Sequence, residues 1–259
     1  MSLAARHALV CGASAGIGRA AALAIASLGA EVTVLARRRP QLESLLPELQ
    51  AAGAPQARCV EADMEDLPGL ESAVSHLLAQ HGPVHVLVHN TGGPAGGPLL
   101  DAGDAAILRA IQRILLSAQL LVRLVLPGMR QTGFGRIVNV LSISVREPVS
   151  NLGVGNTVRG AMAGWAKTLS NELPPGITIN NVLPGYTATE RLREVAEAAA
   201  RRTGRTTEEV LAGYVSDTPE HRLAEPHEIA AAVAFLASPA ASYIRGVNLA
   251  VDGGRMRGI

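Results

Sequence analysis

Aromatic side chains are nearly absent. Two Phe, three Tyr and one Trp stand among 259 residues, although apolar residues make up 48% of the chain. A sizeable core can be buried, but it must be built from Ala, Val, Leu and Ile. Cysteine is scarce too: Cys11 and Cys59 each sit in an apolar run, which excludes a disulfide framework or a multi-cysteine zinc site. Neither sign of charge is in excess. A net charge of +1 gives no long-range attraction to nucleic acid or to an anionic membrane, so neither is an expected partner. A long uninterrupted apolar run is also missing. "ILLSAQLLVRLVLPGM" carries Arg123 and reaches Pro127, which argues against a membrane span. At the N-terminus, glycine arrives too early for a secretory apolar region. The expected setting is the cytoplasm.

Short β-like runs alternate with longer helical patterns. The runs are 7–11, 31–36, 57–62, 84–90, 135–142, 176–184 and 246–254, and a helical stretch covers 104–130. Such alternation predicts an α/β fold, a Rossmann-like doubly wound and mostly parallel seven-stranded sheet with helices on both faces. The near-continuous Val/Ile/Leu strands fit a sheet covered on both sides. No linker or repeat interrupts the chain, so 1–259 reads as one domain. A charged helical insertion at about 187–220 reads either as a lid or as a surface excursion.

"VCGASAGIGRA" follows the first strand and opens the first helix. Its glycines allow a tight turn and the close approach of a pyrophosphate, which then meets the amides of the helix N-terminus. At the end of the second strand, where an acidic residue would hold ribose hydroxyls, the chain has Ala36, Arg37 and Arg38. A guanidinium suits a 2′-phosphate in charge and geometry. NADP(H) is therefore expected rather than NAD(H); solvent-facing arginine is the other reading. His85 and His89 lie four apart on one strand, about 13 Å at roughly 3.3 Å per residue. They cannot share a metal, and no metal site is expected.

"CGASAGIG" resembles the T-G-x-x-x-G-I-G motif of the short-chain dehydrogenase/reductase family, with Cys11 at the usual threonine. "HNTGG" (89–93) resembles the family's N-N-A-G turn. "NNVLPGYTAT" (180–189) resembles its N-x-x-x-P-G-x-x-x-T stretch, and "SYIRGVNLAVDGG" (242–254) its C-terminal signature. The resemblance covers essentially the whole chain and is nearest to 3-oxoacyl-acyl-carrier-protein reductase-like members. It implies cofactor contacts from Gly12, Ser14, Gly16, Ile17 and Gly18 in the first loop, and from Arg37 and Arg38 after the second strand. Asp63 and Met64 should lie by the adenine, with Asn90 and Gly92 near them. Pro184, Gly185, Thr187 and Thr189 belong by the nicotinamide. It also implies a small-molecule substrate and a homo-oligomer, a tetramer or dimer.

The family's reductases use Ser, Tyr and Lys, with an Asn on the preceding long helix. Tyrosine gives the proton, lysine tunes it and holds the nicotinamide ribose, and asparagine orders a relay water. Ser142 in "NVLSIS" takes the serine position. About thirteen residues on, where tyrosine belongs, stands Gly155; four further, in place of lysine, stands Arg159. Counting back from Pro127 puts Ile114 at the asparagine. Arg159 keeps a charge that suits ribose or phosphate but does not relay protons near neutral pH. Two glycines, Gly153 and Gly155, weaken the helix start, which should fall near Asn156 or later. The candidate catalytic set is Ser142, Arg159 and Tyr186. Tyr186 follows Pro184-Gly185 and reads either as a rival acid or as a packing residue under the insertion. Glu147 reads as a pocket border or as an exposed loop ion pair. Two functions follow: an atypical NADP(H)-dependent oxidoreductase, or a cofactor-binding sensor or structural protein without redox turnover.

Overall fold

Every β-like run identified in the sequence becomes a strand. The computed structural model describes residues 1–258. Its strands are β1 (His7–Cys11), β2 (Glu31–Ala36), β3 (Ala57–Glu61), β4 (Val86–Asn90), β5 (Gly135–Val140), β6 (Ile177–Pro184) and β7 (Asn248–Val251). They form one sheet in the order β3-β2-β1-β4-β5-β6-β7, and every pair is parallel. Parallel neighbours need crossovers, which the helices supply: α1 (Gly16–Ala26), α2 (Arg39–Ala52), α3 (Leu67–His81), α4 (Asp104–Ile111), α5 (Ser117–Thr132), α6 (Gly153–Glu172) and α9 (Pro226–Ala237). Between β6 and α9 lie α7 (Glu190–Thr203) and α8 (Thr207–Ser216), packed on each other around Ala196, Ala200 and Val210.

The core is aliphatic, as the shortage of aromatics requires. On one face Ile25, Leu42, Leu49 and Val233 pack over Val10 and Val34. On the other, Leu70, Val74, Leu121 and Met129 pack over Leu9, Leu87 and Ile137. A third cluster joins Ile114, Val158 and Met162 to Leu183 near the carboxyl end of β6. The stretch Asp104–Thr132 is long and apolar enough to cross a membrane by length and composition. Here its inner face, with Leu121 and Val125, is buried against the sheet. It is not one regular helix: residues Gln112–Leu116 form a π turn between α4 and α5. Such turns are commonly found at functional sites.

Three corrections to the sequence reading concern boundaries. β5 ends at Val140, so Ser142 stands beyond the strand, and β7 is confined to four residues. More consequentially, α6 begins at Gly153 rather than near Asn156. The low helix propensity of two glycines is overridden by tertiary contacts. Gly97 bridges to this segment, accepting from the Gly153 amide at 3.1 Å and donating to the Asn151 carbonyl at 2.6 Å. Gly153 also has a reason to be glycine, since a Cβ there would lie 2.6 Å from the Leu99 amide nitrogen.

Buried histidines tie strand to helix and strand to strand. His89 meets the Ser117 hydroxyl at 3.0 Å and His7 meets Thr33 at 2.8 Å. Burial holds the His89 imidazole down to about 4, and burial followed by the charge of Arg58 does the same for His7. Both are neutral in the folded chain, while in the unfolded chain they protonate near 6.5. The unfolded state therefore binds more protons between those values, and stability falls as pH drops from about 6.5 towards 4. Urea midpoints across that window should fall with acidity. His89→Asn should make the fall shallower, by up to about 3 kcal/mol over the window; an equal slope in native protein and variant would refute this.

Candidate functional site

The first half of the site is the turn from β1 into α1. Gly12 has a φ of +62°, and a Cβ on it would overlap the Asn90 carbonyl. A Cβ on Gly18 would overlap the Gly12 carbonyl. The Asn90 amide closes the turn from β4, donating to the carbonyls of Gly12 at 3.3 Å and Cys11 at 3.4 Å. Glycine is thus required by close packing as well as by the dihedral angle. Ala15 caps α1 without a side-chain hydrogen bond, and its first turn holds no acidic residue. Gly16, Ile17 and Gly18 therefore present backbone amides with the positive end of the helix behind them, a fit for a diphosphate. Thr189 reaches this point from the opposite side, with its methyl carbon 3.2 Å from the Cβ position of Gly16.

Arg38 lies over the same loop, donating from Nη2 to the Ser14 hydroxyl at 3.1 Å. Arg37 is exposed and faces Asp63, with Nη1 3.7 Å from Oδ2. Two guanidinium groups and a hydroxyl thus converge beside the end of β2, a donor set that fits a phosphate on the adenosine ribose. Met64 is buried in the core, which leaves only its backbone for a ligand.

The second half lies at the ends of β5 and β6. Ser142 follows β5, and its hydroxyl accepts from the Ser144 amide at 3.1 Å. Ile114 sits within the π turn, buried against Val154, Val158 and Met162. Gly155 is buried on α6. One turn on, the Arg159 side chain folds back, so that a Cβ on Gly155 would lie 2.7 Å from its Nη1. The guanidinium of Arg159 occupies the space beside Gly155 that a longer side chain there would need. It also lies over the β4 loop: a Cβ on Gly93 would be 2.5 Å from Nη2 of Arg159 and 3.7 Å from Nη2 of Arg191. Burial, and then the charge of Arg191, lowers Arg159 to about 10. It remains a cation at neutral pH, and among the described residues no carboxylate pairs with it. The two like charges repel each other, less so where water reaches them.

Two members of this cluster were not identified from the sequence. Arg113, in the π turn, pairs with Glu65 and donates to the Gly93 carbonyl at 3.4 Å. Arg191, in the first turn of α7, donates to the Pro94 carbonyl at 2.6 Å and pairs with Glu194 at 3.0 Å. Their convergence depends on folding the insertion back over the β4 loop, which no local pattern signals.

Tyr186 follows Pro184 and Gly185 at the end of β6. Its ring stacks on Tyr214 of α8 with centroids 4.2 Å apart, and the Arg255 guanidinium carbon lies 5.4 Å from its centre. Glu147 pairs with Arg255 at 3.3 Å. Thr187 is buried and bridged to Ala224, while Thr189 caps α7 by accepting from the Leu192 amide at 3.2 Å. His85 accepts from the His7 amide at 3.0 Å. Among the described residues no three His, Cys, Asp or Glu side chains are grouped to hold a metal.

Residues 12–255 match the family described as Enoyl-(Acyl carrier protein) reductase. The short-chain reductase protein NovJ of Streptomyces niveus is 34% identical over 251 residues, 96% of this chain and 93% of NovJ. The 3-oxoacyl-(acyl-carrier-protein) reductase FabG of Salmonella typhimurium is 32% identical over 257 residues, 98% of each chain. A crystal structure of a point variant of actinorhodin polyketide ketoreductase with NADPH superposes with a TM-score of 0.92 at 32% identity, covering 98% of both chains. With the parallel sheet, the glycine turn and these relatives, the chain belongs to the short-chain dehydrogenase/reductase family.

Proposed function

We propose that the protein is an NADP(H)-dependent oxidoreductase acting on a small carbonyl or alcohol substrate with an altered proton donor. The observation that carries this reading is the Arg159 guanidinium lying in the space beside Gly155 and against Gly93, in a chain that also has an intact glycine turn. A nicotinamide cofactor held by that turn supplies the hydride, and the protein supplies place, charge and a proton source. The Ser14 and Arg38 pair, with Arg37 beside it, supports NADP(H) over NAD(H), and the relatives named for NADPH point the same way. We assign Ser142 to the carbonyl oxygen, as the family resemblance implies. Arg159 offers positive charge to a developing oxyanion but no proton. Tyr186, stacked on Tyr214 and with Arg255 against it, is the phenol that follows Pro184-Gly185, and we assign it the altered donor role, acting through water.

A second reading is a cofactor-binding sensor or structural subunit. It is favoured by the coincidence of Gly155, Arg159 and Ile114 at the three positions where the family resemblance expects tyrosine, lysine and asparagine. The oxidoreductase reading ranks first because the stretch from Pro184 to Thr189 is kept on the nicotinamide side. We further propose a cytoplasmic homo-oligomer, a dimer or tetramer, with α7 and α8 as a lid. Leu100, Leu108 and Leu116 stand exposed along the outer face near α4, which supports association there; light scattering reads the assembly directly.

NADPH should bind more tightly than NADH. Arg37→Ala and Arg38→Ala should each narrow the gap by roughly 1–3 kcal/mol, as expected for a charged hydrogen-bond partner. Equal affinities in the native protein would overturn the arginine assignment. Ordinary ketones should be reduced slowly or not at all, since loss of a general acid typically removes about 10²–10⁴ in rate. Single replacements should restore little, because the groups act as a unit. Ile114→Asn, Gly155→Tyr and Arg159→Lys together should restore most. Native turnover at ordinary family rates, unchanged by Tyr186→Phe, would refute this account of the site.

A further inference from the structure

We propose that the substrate carries an oxyanion, a carboxylate or a phosphate, and that Arg159 and Arg191 grip it across Gly93. This inference rests on reading the cleft as a redox site and names the class of compound it admits.

The argument begins with uncompensated charge. Three guanidinium groups converge on the Gly92-Gly93-Pro94 loop. Arg113 is neutralised by Glu65 and spends its other nitrogen on the loop carbonyls. Arg191 meets Glu194 through Nη1, where both side chains are exposed, and its Nη2 rests on the Pro94 carbonyl, a contact that an incoming oxyanion would have to share or replace. Arg159 has no carboxylate partner among the described residues, and the charge acting on it is the like charge of Arg191. A cation drawn into the protein beside another cation is costly unless an anion joins them. Among the described residues none supplies that anion, and a bound ligand would.

Geometry agrees. Arg159 is half-buried, and neither Gly155 nor Gly93 puts a side chain against its nitrogens. A guanidinium presents paired donors that match two oxygens of a carboxylate or phosphate, which a neutral ketone lacks. Ser142 lies at the end of the adjacent strand, so an oxyanion at the arginines would tether the molecule whose carbonyl the serine receives.

The cofactor's own diphosphate is the competing source, since Arg191 stands two residues after Thr189, which touches Gly16. The diphosphate, however, already has the amides at the start of α1. The two sources separate in a binding experiment that needs no turnover. NADPH-loaded protein is titrated calorimetrically with matched pairs: 2-oxobutanoate against 2-butanone, and dihydroxyacetone phosphate against dihydroxyacetone. We expect a charged member to bind at least ~10-fold more tightly than its neutral partner. Arg191→Met should shrink that preference to below about threefold while NADPH affinity stays within about twofold. Equal binding within both pairs, or no binding of either charged probe, overturns the proposal. So does a variant that keeps the preference but loses about tenfold in NADPH affinity, which would assign the cluster to the cofactor. Native protein that fails to bind NADPH overturns the redox reading itself, whereas NADPH binding with no oxyanion preference overturns only this inference.

Discussion

The approach of Gly18 to the Gly12 carbonyl sets the geometry of the cleft. Because neither residue has a side chain, α1 starts directly above the end of β1 with its first amides uncovered. Asn90 then locks the end of β4 to the same turn, which fixes where the Gly92-Gly93 loop departs. That loop in turn supports Arg113, Arg159 and Arg191. One close backbone contact thus positions both the diphosphate cradle and, through β4, the cationic cluster on the far side of the cleft.

Gly155 and Arg159 are best understood as one unit. They are neighbours one helical turn apart, and the longer side chain folds back over the shorter. Set against the family resemblance, a permanent cation stands in nearly the place where a neutral proton donor is expected. Ile114 makes a matching change from below. It fills the π turn with apolar surface that packs on Val154 and Val158, where a polar relay group would have needed water. The π turn thus has a buried apolar side chain at its centre.

The strand pattern, the helix order and the glycine turn were legible because they depend on local rules. Alternation, Val/Ile/Leu runs and glycine spacing all act within a few residues of one another. The start of α6 was misplaced for the complementary reason. Propensity argued against Gly153 and Gly155, and a contact with Gly97, more than fifty positions away, overrode it. Arg113 and Arg191 were invisible for the same cause, since each reaches the cleft only through tertiary packing. Tyr186 was singled out by its place after Pro184-Gly185, but its stacking on Tyr214 depends on how α8 folds back. The places of the motif residues in the fold could be read from the sequence, while the crowding of charge around Gly93 required the fold.

The central proposal is hydride transfer from NADPH with Gly155 and Arg159 at the positions where the family resemblance expects tyrosine and lysine. Its most direct test is to load the native protein with NADPH deuterated at the transferred position, add carbonyl compounds including oxo acids, and examine the products by mass spectrometry. The account predicts deuterium on the carbinol carbon, accumulating slowly. Protein that binds the cofactor tightly, yet yields no labelled alcohol from any carbonyl compound under conditions in which the Ile114→Asn, Gly155→Tyr, Arg159→Lys variant does, would contradict it.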